Sequence, residues 1–117
     1  MKKLSGSKKT AKPALGDEAL ELVASRFRVL GEPARLKLLQ QLRDGEKSVT
    51  ELVEGTGIGQ ANISKHLALL AHAGLVGRRR EGLFTYYFIS DPLVFELCDL
   101  VCARLREEFD RKASRLA

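Results

Sequence analysis

A glycine-rich turn between two helical segments constrains the fold of this chain most strongly. Residues 55–59, Gly-Thr-Gly-Ile-Gly, are too short and too flexible to form an element of their own. Before them, Ser48 with Glu51 three residues later matches a capping box and predicts a helix over 49–54. After them, apolar residues recur at helical spacing, at Ile63, Leu67 and Leu70. Two helices joined by such a turn predict a helix-turn-helix.

Two further helices are predicted upstream of this motif. The first follows Gly16 and ends at Gly31, with apolar residues at Leu20, Val23, Ala24, Phe27 and Leu30. Pro33 suits the first turn of the second helix, which runs toward Gly45. Its apolar positions are Leu36, Leu39 and Leu42.

A hairpin and a long helix are predicted downstream. Residues 75–80 and 83–89 are strand-like, and Glu81-Gly82 is placed to make the turn between them. Asp91-Pro92 then supplies a cap and a first-turn proline for a final helix that reaches about Lys112. The expected fold class is therefore mainly α with a β-hairpin wing (α+β), a winged helix-turn-helix.

Length and charge indicate one small domain that suits a polyanion. The chain has 117 residues and a net charge of +5, and five lysines within residues 1–15 carry that excess. We interpret 1–15 as a disordered basic arm, 16–112 as the folded domain and 113–117 as a tail. Residues 60–80 contain four basic side chains and no acid. Such clustered charge favours phosphate binding, although a scattered, solvated surface is the alternative.

The sequence also limits the cellular compartment. No apolar run approaches the roughly 20 residues needed to span a bilayer, and the lysine-rich start lacks the apolar stretch of a secretory signal. We therefore expect a cytoplasmic protein that does not contact a membrane. Its two cysteines, Cys98 and Cys102, are expected to be thiols there.

The second helix of the helix-turn-helix carries the predicted DNA-reading residues. With its apolar stripe facing inward, four side chains point outward and two lie at the flanks: Gln60, Ala61, Ser64 and Lys65, then Asn62 and His66. Amide side chains pair with adenine, and lysine reaches guanine or phosphate. An ordinary solvated helix face is the alternative.

The wing carries a second set of cations. Arg78, Arg79 and Arg80 lie beside the predicted hairpin turn, where they can reach phosphates or a narrow minor groove. Because a strand alternates faces, about two of the three are expected to point at double-stranded DNA. The alternative is a charged edge strand that resists aggregation.

Several motifs in order resemble one known family. The segments FRVLGEPARLKLL (27–39), NISKHL (62–67), AGLV (73–76), REG (80–82) and Tyr86-Tyr87 are similar to those of the ArsR family of winged-helix repressors. The resemblance covers roughly residues 18 to 110. It implies a homodimer built from the first and last helices, a recognition helix from about Gly59 to His72, and release from DNA by an inducer. Gly59 replaces a serine of many members, and Leu83 a wing arginine.

Metal-sensor patterns of that family are mostly missing. Residues 48–53 lack the Cys-x-Cys pair of arsenic and cadmium sensors, and the last helix has no histidine. Cys98 and Cys102 remain, four apart on that helix with Cβ atoms roughly 5 to 6 Å apart. This spacing suits shared ligation of As(III) or Cd(II) better than a disulfide, which needs about 4 Å. Oxidation or reactive sulfur is a second hypothesis, and packing as small hydrophobes a third.

Further apolar residues lie on the last helix. Val94, Leu97 and Val101 form a second stripe on the last helix, which predicts a homodimer and thus a palindromic operator.

We find no Ser/His/Asp set and no phosphate loop, so an enzyme is not expected. The sequence favours a repressor released at Cys98 and Cys102. A constitutive regulator and a winged-helix protein-interaction module stay open.

Overall fold

The computed structural model describes residues 15–116 and confirms the winged helix-turn-helix. The helices are α1 (Asp17–Leu30), α2 (Pro33–Leu42), α3 (Val49–Thr56), α4 (Gln60–His72) and α5 (Leu93–Leu116). The strands are β1 (Lys47–Ser48), β2 (Val76–Glu81) and β3 (Phe84–Ile89). The proposed basic arm lies outside the described residues except for Leu15.

Local signals set the helix-turn-helix. Ser48 Oγ accepts from the Glu51 N–H at 3.2 Å, and the Glu51 carboxylate accepts from the Ser48 N–H at 2.8 Å, which completes the predicted capping box. Helix α3 continues to Thr56, two residues beyond the predicted end. Gly57 terminates it, because its left-handed backbone (φ 75°) lets its N–H donate to Val53 O at 2.8 Å.

The wing is part of a three-stranded antiparallel sheet with the order β1-β3-β2. Strand β1 was not predicted, because a strand of two residues is too short to show an alternation of apolar and polar side chains. In this strand, Lys47 pairs with Tyr87 and Ser48 with Tyr86. Since Glu81 pairs with Phe84, the hairpin loop is Gly82-Leu83 rather than Glu81-Gly82. Gly82 has φ 62°, a conformation that a residue with a side chain rarely adopts.

The core joins α2, α3, α4 and the base of the wing. Its buried apolar residues are Leu30, Leu38, Leu39, Leu42, Leu52, Ile63, Leu67, Leu70, Leu75, Val76 and Val94. Leu38 is fully buried, whereas Leu36, which was predicted on the buried stripe, is partly exposed. Helices α1 and α5 contribute one buried residue each.

Helix α5 extends beyond this core. Asp91 caps it as predicted, with Oδ1 accepting from the Leu93 N–H at 3.2 Å. The helix continues to Leu116 instead of ending near Lys112, so the segment proposed as a tail is helical as far as the structure describes it. Every residue from Asp99 to Arg115 is exposed. Among residues 15–116 no helix is long and apolar enough to cross a membrane.

Candidate nucleic-acid interface

Helix α4 separates an apolar face from a polar one. Ile63, Leu67 and Leu70 are fully buried and dock the helix on the domain. Five of the predicted DNA-reading residues are exposed: Gln60, Ala61, Asn62, Ser64 and Lys65. Helix α4 begins at Gln60, and its exposed first turns carry amide, hydroxyl and ammonium groups that are available to base edges and phosphates.

His66 differs from these five residues because it is half-buried. Its Nδ1 lies 3.2 Å from Nη1 of Arg35 on α2. The other nitrogens of that guanidinium reach the end of α1, where Nε donates to Val29 O at 2.5 Å and Nη2 to Arg28 O at 3.2 Å. Sequence reasoning missed Arg35, and no local signal points to it, because its partner His66 is 31 positions away.

The three wing arginines divide between the two faces of the hairpin. Arg78 and Arg80 share one face, together with Tyr87, which packs on the core. Arg79 is on the other face, where its guanidinium lies 4.8 Å from the ring centroid of Tyr86. Arg78 and Arg80 therefore lie on the face opposite to Arg79, and which of the three point at DNA stays a prediction.

Arg79 is engaged by two acids. It forms an ion pair and hydrogen bonds with Glu46, which precedes β1, and its Nη1 lies 3.4 Å from Glu81. The hydrogen bond from Arg79 lowers the pKa of Glu46 below its ordinary value. Arg78 and Arg80 form no ion pair within residues 15–116. The wing thus offers two uncompensated cations rather than three.

The two cysteines lie on one side of α5, in an open groove between α1, α2 and α5. The groove has a volume of about 910 Å³ and is mostly apolar, with Phe27, Leu36, Leu105 and Phe109 in its walls. Cys98 is half-buried and Cys102 exposed, and both are free thiols. Nη2 of Arg106 lies 3.8 Å from Cys102 Sγ. Burial raises the pKa of the Cys98 thiol, Asp99 raises it further, and Arg43 lowers it.

Within the described residues, no three His, Cys, Asp or Glu side chains are grouped to hold a metal ion. The two cysteines are the sulfur ligands that a single chain offers in this groove. Two thiolates suffice for a soft ion that accepts two-fold coordination, whereas tetrahedral coordination needs ligands from elsewhere.

Comparisons with known proteins decide the family. Residues 32–77 match the model of the bacterial regulatory protein, arsR family. The transcriptional regulator NmtR of Mycobacterium tuberculosis is 39% identical over 85 residues, which cover 73% of this chain and 71% of that protein. The chain belongs to the arsR family. As a member, it is a DNA-binding transcriptional regulator and not an enzyme.

Other relatives of this arsR-family chain agree. A probable mercury resistance operon repressor of Streptomyces lividans is 43% identical over 77 residues, which cover 66% of this chain and 62% of the relative. The crystal structure of Rv0081 from M. tuberculosis superposes with a TM-score of 0.74 at 30% identity, covering 84% of this chain and 99% of the other. The homodimeric winged helix-turn-helix Mb0332 from Mycobacterium bovis gives 0.72 at 31% identity, with 86% and 95% covered.

Proposed function

We propose that this regulator is a repressor that binds a palindromic operator as a homodimer in the cytoplasm and is released by a thiophilic ion or an oxidant at Cys98 and Cys102. The proposal of DNA reading rests on the exposed polar face of α4, which lies beside the wing. Lys65, Arg78 and Arg80 supply cations for phosphates, while Gln60 and Asn62 supply amides for base edges.

The dimer rests on apolar surface that one chain leaves uncovered. Large apolar side chains are exposed along α1 and α5, at Leu20, Leu22, Val23, Phe27, Leu93, Leu97, Leu100, Val101, Leu105 and Phe109. An exposed patch of this extent is typical of an interaction surface. Pairing through it by a two-fold axis would present two copies of α4 to half-sites about one helical turn apart.

The release step rests on where the cysteines lie. Both thiols line the groove between α1, α2 and α5, and we expect a ligand bound there to shift α5 relative to α2. Mercury resistance is the stated role of one relative's operon, and Hg(II) is a soft ion that two thiolates satisfy. As(III) and Cd(II) would need further ligands, which the second chain of the dimer could supply.

A constitutive regulator is the second candidate, and one contact favours it. Cys98 packs against the hydrophobic core, which is the ordinary behaviour of a structural cysteine. In that case, no thiol reagent would alter operator binding.

Fluorescence anisotropy on the protein's own upstream promoter DNA tests the proposal. We expect selective binding that weakens steeply with salt and is reversed by Hg(II), As(III), Cd(II) or an oxidant. Cys98→Ser/Cys102→Ser is the matched variant and should bind equally well but resist release. Release of that variant from DNA would refute the sensor site at the two cysteines. Equal binding to unrelated DNA would refute recognition of a specific operator.

A further inference from the structure

Arg35 connects three helices through one guanidinium. Two of its nitrogens donate to Val29 O and Arg28 O in the last turn of α1, and Arg28 O also accepts from the Gly31 N–H at 3.2 Å. The third nitrogen meets Nδ1 of His66 on α4. One side chain thus ties the recognition helix to the end of α1.

The chemistry of this contact determines which ring nitrogen of His66 carries the hydrogen. A guanidinium has five N–H donors and no acceptor, so Nδ1 of His66 can only accept. The neutral ring must then carry its hydrogen on Nε2. A hydrogen on Nδ1 would set donor against donor at 3.2 Å. The contact therefore selects one tautomer and restricts rotation of the ring.

The second ring nitrogen is available for a partner. Nε2 lies across the ring from Nδ1, and residues 15–116 supply it with no hydrogen-bond acceptor. His66 is only half-buried and follows the exposed Ser64 and Lys65 on the same helix. We propose that Arg35 is a positioning residue that holds His66 so that its Nε2–H donates to an acceptor on DNA bound by α4.

This inference rests on the proposed reading of an operator by α4. The acceptors that fit one N–H donor are guanine N7 or O6, thymine O4 and a phosphate oxygen. Arg35 would act through His66 and contact no DNA itself. Because the same guanidinium holds the end of α1, it also fixes the position of that helix relative to the reading face.

Nuclear magnetic resonance of the imidazole nitrogens tests the geometry without DNA. We expect the Nε2–H tautomer for His66 and an averaged signal for exposed His72, the chain's other histidine. Arg35→Lys keeps the positive charge but loses the planar, forked guanidinium. The imidazole nitrogen signals of His66 should therefore move toward the averaged signal of His72. An Nδ1–H tautomer, or a His66 signal unchanged by Arg35→Lys, would overturn the proposal.

Two amide variants then test the contact with DNA. His66→Asn keeps an acceptor near Nδ1 but has no atom at the Nε2 position, whereas His66→Gln reaches that position with an N–H. We expect His66→Asn to weaken operator binding about tenfold and His66→Gln to retain most of it. Arg35→Lys should resemble His66→Asn, with circular dichroism confirming that each variant is folded.

The pattern of loss identifies the acceptor and separates two failures. A loss confined to one operator base pair indicates a base edge, and an equal loss on all DNA indicates a phosphate. Wild-type affinity in His66→Asn would refute the contact. If the wild type binds no DNA selectively, the proposed function fails and this contact with it, whereas the tautomer experiment reports on Arg35 in either case.

Discussion

Arg43, the residue after α2, donates two hydrogen bonds to Asp99 of α5, from Nη1 to Oδ1 at 3.1 Å and from Nη2 to Oδ2 at 2.9 Å. The same guanidinium lies 4.6 Å from the ring centroid of Phe95. From Leu100 to Arg115, α5 has no buried residue. The pair therefore marks the point where α5 leaves its own domain, directly beside the Cys98 thiol.

We expect the two partners of this ion pair to change Cys98 reactivity in opposite directions. Asp99→Asn removes a charge that raises the pKa of Cys98, so more thiolate forms and alkylation becomes faster. Arg43→Gln removes a charge that lowers this pKa, so alkylation becomes slower. The rates are measured with iodoacetamide at mildly alkaline pH in Cys102→Ser protein, where Cys98 is the remaining thiol. Acceleration in both variants would instead indicate that loosening of α5 controls the rate.

The wing arginines should differ in their contribution to salt-dependent DNA binding. Arg78→Gln and Arg80→Gln should each reduce the slope of log affinity against log salt by about one, because each removes a phosphate contact. Arg79→Gln should change the slope less, since Arg79 faces Glu46 and Glu81. Anisotropy titrations at several salt concentrations give the three slopes. Equal changes in all three would mean that Arg79 leaves its acidic partners in the complex.

Two glycines of the helix-turn-helix should respond differently to the same substitution. Gly57→Ser should lower the free energy of unfolding by about 1 to 2 kcal/mol, because a side chain disfavours φ 75°. Gly59→Ser should leave it unchanged or raise it, since Gly59 is an N-cap with φ −65° and serine is a better cap. Urea denaturation at one protein concentration compares them. A large loss in Gly59→Ser would contradict the capping argument.

A charge on the uncovered face of α5 should prevent dimerisation. Phe109→Glu places a carboxylate among exposed apolar side chains of α5, and burying it against a second copy is costly. Sedimentation should then show a monomer where the wild type is a dimer. Leu83→Glu is the matched control, because Leu83 is 93% exposed at the wing tip, away from α5, and should remain dimeric. A dimeric Phe109→Glu would place the interface elsewhere.

Local signals predicted most of the fold, and distant pairings were missed. The Ser48–Glu51 capping box and the Asp91 cap join residues two or three positions apart, so sequence spacing alone reveals them. Strand β1 exists only because β3 pairs with it much later in the chain. Glu46, which hydrogen-bonds to Arg79, and Arg35, which contacts His66, are likewise more than 30 positions from their partners. No periodicity in the sequence indicates which of several charged residues will meet. The outward residues of α4 could be predicted from its apolar stripe. The orientation of the His66 ring, in contrast, depends on its contact with Arg35, which the sequence does not reveal.

The exposed length of α5 couples helix formation to the amount of protein. From Asp99 to Arg115 every residue of the helix is exposed, and a helix in a protein gains most of its stability from packing an apolar face against other elements. In the proposed homodimer, a second copy covers it, so ordering and association become one equilibrium governed by mass action. A cell that dilutes such a regulator during growth then loses helix, dimer and operator occupancy together, and gene expression responds to copy number as well as to any inducer.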